Sequence, residues 1–186
     1  MSAPQTVYER HLGPDFEQMP PAVKALHRLA GRYRLNGTVS VVGPQSRFGK
    51  LLQLIFGFPA PADDVPFTFE IDADTSRERW TRHFPGRSMT SILSNQGAYV
   101  VERLGPVKLW FMLEATTNGL SMNLCKVTLQ GLPLPHWLTP RVRAMEHGLS
   151  ASGSGMFHFD VAAWLPKDTL LVSYRGSLDI ANAETR

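Results

Sequence analysis

Sulfur chemistry is almost absent from this chain. Cys125 is the single cysteine in 186 residues, so an internal disulfide is excluded and a reducing compartment, the cytoplasm, is expected. Long apolar runs are missing too: the longest, 51–58, is less than half of what a bilayer-spanning helix needs. The first residues show neither the basic start nor the apolar stretch of a secretion signal. Charge of one sign is not in excess, since 19 Lys+Arg face 16 Asp+Glu, and a formal +3 gives no basis for a nucleic-acid surface. Metal and nucleophile motifs are lacking: the six histidines form no H-x-H, H-E-x-x-H or Cys/His cluster, and neither a metal nor a cofactor is expected. The Ser/Gly stretch 150–155 lacks the trailing lysine of a phosphate loop and is expected to be a hairpin tip.

What is present suffices for one domain with a core, at 43% hydrophobic and 10% aromatic residues. Punctuation defines the helices. Thr6 with Glu9 makes a capping box and Gly13 a stop; Asp15 with Gln18 opens a second turn that Pro20-Pro21 interrupts. Pro21 then starts a helix whose apolar stripe, Val23, Leu26, Leu29 and Ala30, ends at Gly31. A third helix is predicted over 47–56, capped by Ser46 and stopped by Gly57.

Beyond about residue 64 the hydrophobic period falls to two, and turn residues recur at the spacing of antiparallel sheets. Strands are predicted over 32–42, 65–72, 77–84, 87–94, 98–104, 107–115, 120–129, 141–148, 156–165 and 170–179. Open edges are costly for so many strands, so the expected fold is mainly β (α+β): a barrel or half-barrel of about ten antiparallel strands. Residues 1–31 form a helical cap and 32–180 the barrel, with the helix near 47–56 inserted after the first strand.

Charge pairing suggests registers for two hairpins. A 73–76 loop sets Asp72 opposite Arg77, Glu70 opposite Arg79, Phe69 opposite Trp80 and Phe67 opposite Arg82. A 166–169 loop sets Asp160 opposite Arg175, Val161 opposite Tyr174 and Phe159 opposite Gly176. Within 77–87 the local basic charge is partly answered by Glu70, Asp72 and Glu78.

Charged residues in inward apolar rows are the informative ones. Arg82 shares a face with Trp80 and Phe84; it either snorkels to water over those rings or holds an anionic group in a pocket. Glu102 falls on the row of Leu109, and Glu146 on that of Val142 and Ala144. Each is either paired with an arginine in an internal network or lines a cavity, where excess negative charge would raise one acid's pKa. Tyr174, on the same inner side, is a hydrogen-bond donor or plain core. The helix over 47–56 has little polar face, so it either plugs the barrel mouth or serves as a lid that admits a ligand or touches a membrane surface. The proline-rich 131–140 segment should cross rigidly and leave His136 and Trp137 near a barrel end.

Several runs are distinctive together: Tyr8-Glu-Arg-His-Leu, Met19-Pro-Pro-Ala-Val with His27, Glu78-Arg-Trp-Thr-Arg-His-Phe, Val101-Glu-Arg-Leu-Gly-Pro, Gly131-Leu-Pro-Leu-Pro and Tyr174-Arg-Gly-Ser-Leu. Nearly the whole chain resembles the bacterial domain-of-unknown-function family 4166. That resemblance brings no activity. It implies at most an accessory role beside an oxidoreductase, because similar proteins are sometimes fused behind a saccharopine-dehydrogenase-like domain. This chain has no Gly-x-Gly-x-x-Gly of its own. The leading expectation is non-catalytic binding of a small amphipathic or acyl-type molecule, with Arg82, Trp80, Phe84, Glu102, Glu146 and Tyr174 around it. The alternatives are an enzyme using Glu102 or Glu146 as acid or base, and a structural accessory domain. Neither nucleic acid nor stable membrane insertion is expected among its interactions.

Overall fold

The computed structural model describes residues 5–148 and 155–186. Two short helices, α1 (Val7–Leu12) and α2 (Pro21–His27), flank a 3-10 turn over Gly13–Gln18. The first long strand, β1 (Gly31–Val42), leads to α3 (Arg47–Phe56). There follow β2 (Ala62–Ala73), β3 (Arg77–Phe84), β4 (Arg87–Gln96), β5 (Tyr99–Leu104), β6 (Val107–Thr116) and β7 (Gly119–Leu129). The chain ends with β8 (Leu132–Pro133), β9 (Arg141–Gly148), β10 (Met156–Leu165), β11 (Thr169–Asp179) and β12 (Glu184–Thr185). The Ser/Gly tip expected at 150–155 falls mostly outside the described residues.

Ten of these strands close into an antiparallel barrel. Neighbours along the chain pair in turn, β9 joins β7, and β11 returns to β1, so no half-barrel edge is left; β8 and β12 are short additions on β7 and β1. The seam between β1 and β11 pairs Gly37 with Leu178 and Val39 with Gly176. A Cβ on Gly37 would sit 1.8 Å from the Ser177 carbonyl oxygen, and one on Gly176 2.2 Å from that of Thr38. Glycine is required there because the two backbones meet closer than any side chain allows.

The barrel has two unlike ends. At one, the floor, α1, the 3-10 turn and α2 push Val7, Tyr8, Phe16, Val23 and Leu26 into the core. The Thr6–Glu9 capping box forms as the sequence predicts, and α1 is tied to the strands by Asn95 Nδ2, which donates to the Val7 carbonyl at 2.9 Å. Helix α2 stops at His27, short of Gly31, because Leu29 and Ala30 already lead into β1. At the other end, the mouth, α3 runs between β1 and β2 beside the 84–87, 104–107, 129–141 and 165–169 connections. Its Ser46 cap accepts from the Gly49 amide at 3.0 Å, and Gly57 ends it in the left-handed region at φ 72°.

The second predicted hairpin has the expected register, with Asp160 opposite Arg175, Val161 opposite Tyr174 and Phe159 opposite Gly176. The first is shifted by two residues. Asp72 faces Arg79, Glu70 faces Thr81, Ile71 faces Trp80, and Phe69, not Phe67, faces Arg82. The cause is the turn: the Asp74 carboxylate accepts from the Ser76 and Arg77 amides at 2.7 and 2.9 Å, closing a two-residue tip. A shift of two keeps every side chain on its predicted face and changes only its partner. Glu70 pairs instead with Arg186 at 2.6 Å, and Asp72 lies 3.5 Å from Arg32.

Candidate functional site

Strand parity puts Glu78, Trp80, Arg82 and Phe84 of β3 on the inner wall. Glu78 therefore does not neutralise the outer arginines as its sequence neighbourhood suggests; it is buried. Next to β3, β4 contributes Ser91, and β5 contributes Glu102, which faces Leu109 of β6 as predicted. From the opposite side of the barrel β9 contributes Glu146 and β11 Tyr174.

Three adjacent strands organise the first polar group. Arg82 Nη1 donates to Ser91 Oγ at 3.0 Å and Nη2 to Glu102 Oε1 at 3.2 Å, with the two charged side chains only 12% and 14% exposed. The guanidinium lies 5.4 Å from the Trp80 ring centre and 5.8 Å from that of Phe69. Arginine thus neither snorkels to water nor offers a free fork, because an acid and a hydroxyl already engage it.

Glu146 belongs to a second group. Its Oε2 shares a 2.5 Å hydrogen bond with His27 Nε2 at the end of α2, and both side chains are buried. The His27 ring stacks on Tyr8 with centres 3.9 Å apart, and Tyr8 is nearly parallel to Trp80 at 5.6 Å. Glu78 accepts from the Val7 amide at 2.9 Å and from Trp80 Nε1 at 3.0 Å. Arg82, Glu102 and Glu146 therefore do not share one contact; the Tyr8–Trp80 stack joins an Arg82–Glu102 pair to a His27–Glu146 pair.

Three carboxyls around one arginine and one histidine leave the cluster short of positive charge. Burial pushes the Glu78 carboxyl above its ordinary range, although His27 and the Val7 amide oppose it. Burial also raises the Tyr8 phenol, reinforced by Glu146 and Glu78, and raises that of Tyr174, so both remain proton donors at neutral pH. Burial works against the Arg82 charge, but Tyr174, Glu102 and Tyr8 outweigh it and its pKa is raised.

Above this cluster the barrel encloses a cavity of about 850 Å³. Arg82, Glu102, Glu146 and Tyr174 supply polar atoms to a wall that is otherwise mostly hydrocarbon, from Trp80, Phe69 and Val161 on the strands to Leu52 and Phe56 on α3. All six residues singled out from the sequence are buried or nearly so; Phe84 packs edge-on against Tyr174 with centres 5.6 Å apart. Tyr8, His27, Glu78 and Ser91 were not anticipated. Glu78 was legible by its parity with Trp80, and His27 by its position one helical turn after Val23; Tyr8 and Ser91 gave no comparable signal.

Residues 19–178 match the family described as Domain of unknown function (DUF4166). The chain belongs to this family. No curated protein matches it. A crystal structure of a protein with unknown function from the DUF3598 family of Nostoc punctiforme PCC 73102 is similar over 81% of this DUF4166 chain and 47% of that one, at 14% identity and TM-score 0.47. This chain thus spans about half the length of that protein, and a likeness of this degree assigns it nothing. Among the described residues of the DUF4166 chain no three His, Cys, Asp or Glu side chains are grouped to hold a metal. Nor, among the described residues, is any helix long and apolar enough to cross a membrane.

Proposed function

We propose that the protein binds a small amphipathic molecule with an acyl-type body, without transforming it. One observation carries this reading: a cavity of about 850 Å³ whose wall is mostly hydrocarbon, with Arg82, Glu102, Glu146 and Tyr174 as polar groups deep inside it and Ser46, Lys167 and Thr169 at its mouth. Pockets of this size hold ligands of drug or lipid-chain dimensions, and a few convergent polar groups orient them. Burying the apolar body drives binding, while the polar floor selects a head group.

The charge count describes that head. Glu102 already neutralises Arg82 at 3.2 Å, and Glu146 and Glu78 add negative charge nearby. A second full anion would meet repulsion, so a hydroxyl, ester or amide fits better than a free carboxylate. The spare N–H groups of Arg82 and the Tyr174 hydroxyl are the donors it would use.

Native mass spectrometry of freshly purified protein tests this, followed by titration with cis-parinaric acid methyl ester as a fluorescent probe. The expected result is a retained small molecule, or saturable probe uptake, that Val161→Phe weakens by narrowing the cavity. Arg82→Ala should weaken uptake, but Val161→Phe leaves the buried ion pair untouched and is the safer variant. A protein that purifies empty and takes up no probe overturns the proposal.

The His27–Glu146 contact at 2.5 Å favours a second reading, in which Glu146 exchanges a proton with a substrate in the cavity. That reading requires a substrate-dependent activity abolished by Glu146→Gln in a folded protein.

A further inference from the structure

Helix α3 turns two cations, Arg47 and Lys50, to water together with side chains that are otherwise apolar. Leu52 and Phe56 point to the cavity, Phe48 borders it while remaining exposed, and Leu51, Leu54 and Ile55 lie on the outside, Leu54 at 68% exposure. Gln53 is spent on the Pro59 carbonyl at 2.5 Å. Soluble proteins seldom leave four large apolar side chains exposed on ten residues. A second segment repeats the pattern at the same end of the barrel: Leu132 and Trp137, in the connection from β7 to β9, are 74% and 70% exposed, and Trp137 borders the same cavity.

The charges around these residues are mainly of one sign. Arg47 and Lys50 lie on α3, the Arg87 guanidinium lies beside Gly57, and Lys167 lines the mouth. The acids at this end are Asp63, Asp64 and Asp168, and Asp168 is held by Arg141 at 2.9 Å. Apolar side chains, an exposed tryptophan and flanking cations are what a bilayer interface with anionic headgroups accepts.

We infer that the mouth of the barrel, α3 together with the 132–138 segment, docks on an anionic lipid surface. The occupant is the bilayer interface itself, entered to the depth of the exposed side chains and not crossed. The inference uses the proposed cavity only to locate the mouth; it stands or falls without a bound ligand. Docking in this orientation would open the cavity directly onto lipid.

Co-sedimentation of the full chain with phosphatidylcholine vesicles, alone or mixed with phosphatidylglycerol, tests it. Binding is expected to the mixed vesicles, weaker to phosphatidylcholine alone and weakened by salt. Leu54→Glu should lower partitioning about tenfold, and Lys50→Glu should lower it and flatten its salt dependence. Both positions are exposed, so neither change threatens the fold. Failure to sediment with mixed vesicles, or equal binding by the parent and both variants, overturns the inference. So does a dimer in sedimentation velocity that Leu54→Glu dissociates, since a second copy would then cover this face. Probe uptake that persists in a protein without vesicle binding would leave the cavity proposal intact while removing this one.

Discussion

Removing the Arg82 charge tests whether the barrel floor is as sheltered as its geometry implies. The ions are 3.2 Å apart with side chains only 12% and 14% exposed. At an effective dielectric near 20 their gross attraction is about 5 kcal/mol, against about 1 kcal/mol in bulk water. Desolvation offsets much of that gain, so the intact pair adds little net stability. Breaking it is a different matter, because the surviving ion stays buried without a partner. Arg82→Met should therefore cost about 3–5 kcal/mol, including the lost contacts with the Trp80 and Phe69 rings. Glu102→Leu should cost a similar amount, and the double variant less than either. The coupling read from urea unfolding of all four proteins should therefore exceed about 3 kcal/mol. Coupling below about 1 kcal/mol would mean that water screens the pair as it does at a surface, which would refute the sheltered floor.

The pH dependence of stability should carry the signature of Glu78. Its folded-state pKa is raised above 4.5 chiefly by burial, so its contribution is fully present below the unfolded value and is lost as pH rises through the folded one. Urea midpoints of Glu78→Gln should therefore fall less than those of the parent as pH rises above about 4.5, and parallel curves would contradict the assignment. Gly37→Ala should open the seam where a Cβ would lie 1.8 Å from the Ser177 carbonyl oxygen, destabilising by about 3 kcal/mol or more. A thermal midpoint unchanged in that variant would show that β1 and β11 do not close as described.

Strand boundaries, the capping box of α1, the Ser46 cap of α3 and the inward placement of Arg82 and Glu102 were legible because they depend on residues a few positions apart. Parity along β3 survived even where the hairpin partners were misjudged. An Asx turn at Asp74 moved the register by two, and side-chain direction repeats every two residues. Glu78 differs in kind: its charge suits the neighbouring arginines, but its parity with Trp80 turns it into the core.

The sequence by itself determined a β-rich chain with ten main strands, three helical segments and a row of polar side chains turned inward, because alternation, caps and turns are local chemistry. Only the tertiary structure decided that the sheet closes through Gly37 and Gly176, and that Glu146 meets His27 across 119 residues of chain. It also decided that Val7, 71 residues away, supplies a hydrogen bond to Glu78. Pairings over such distances depend on where whole elements pack, and a cavity is the space those elements fail to fill; neither quantity is carried by a residue and its neighbours in the chain.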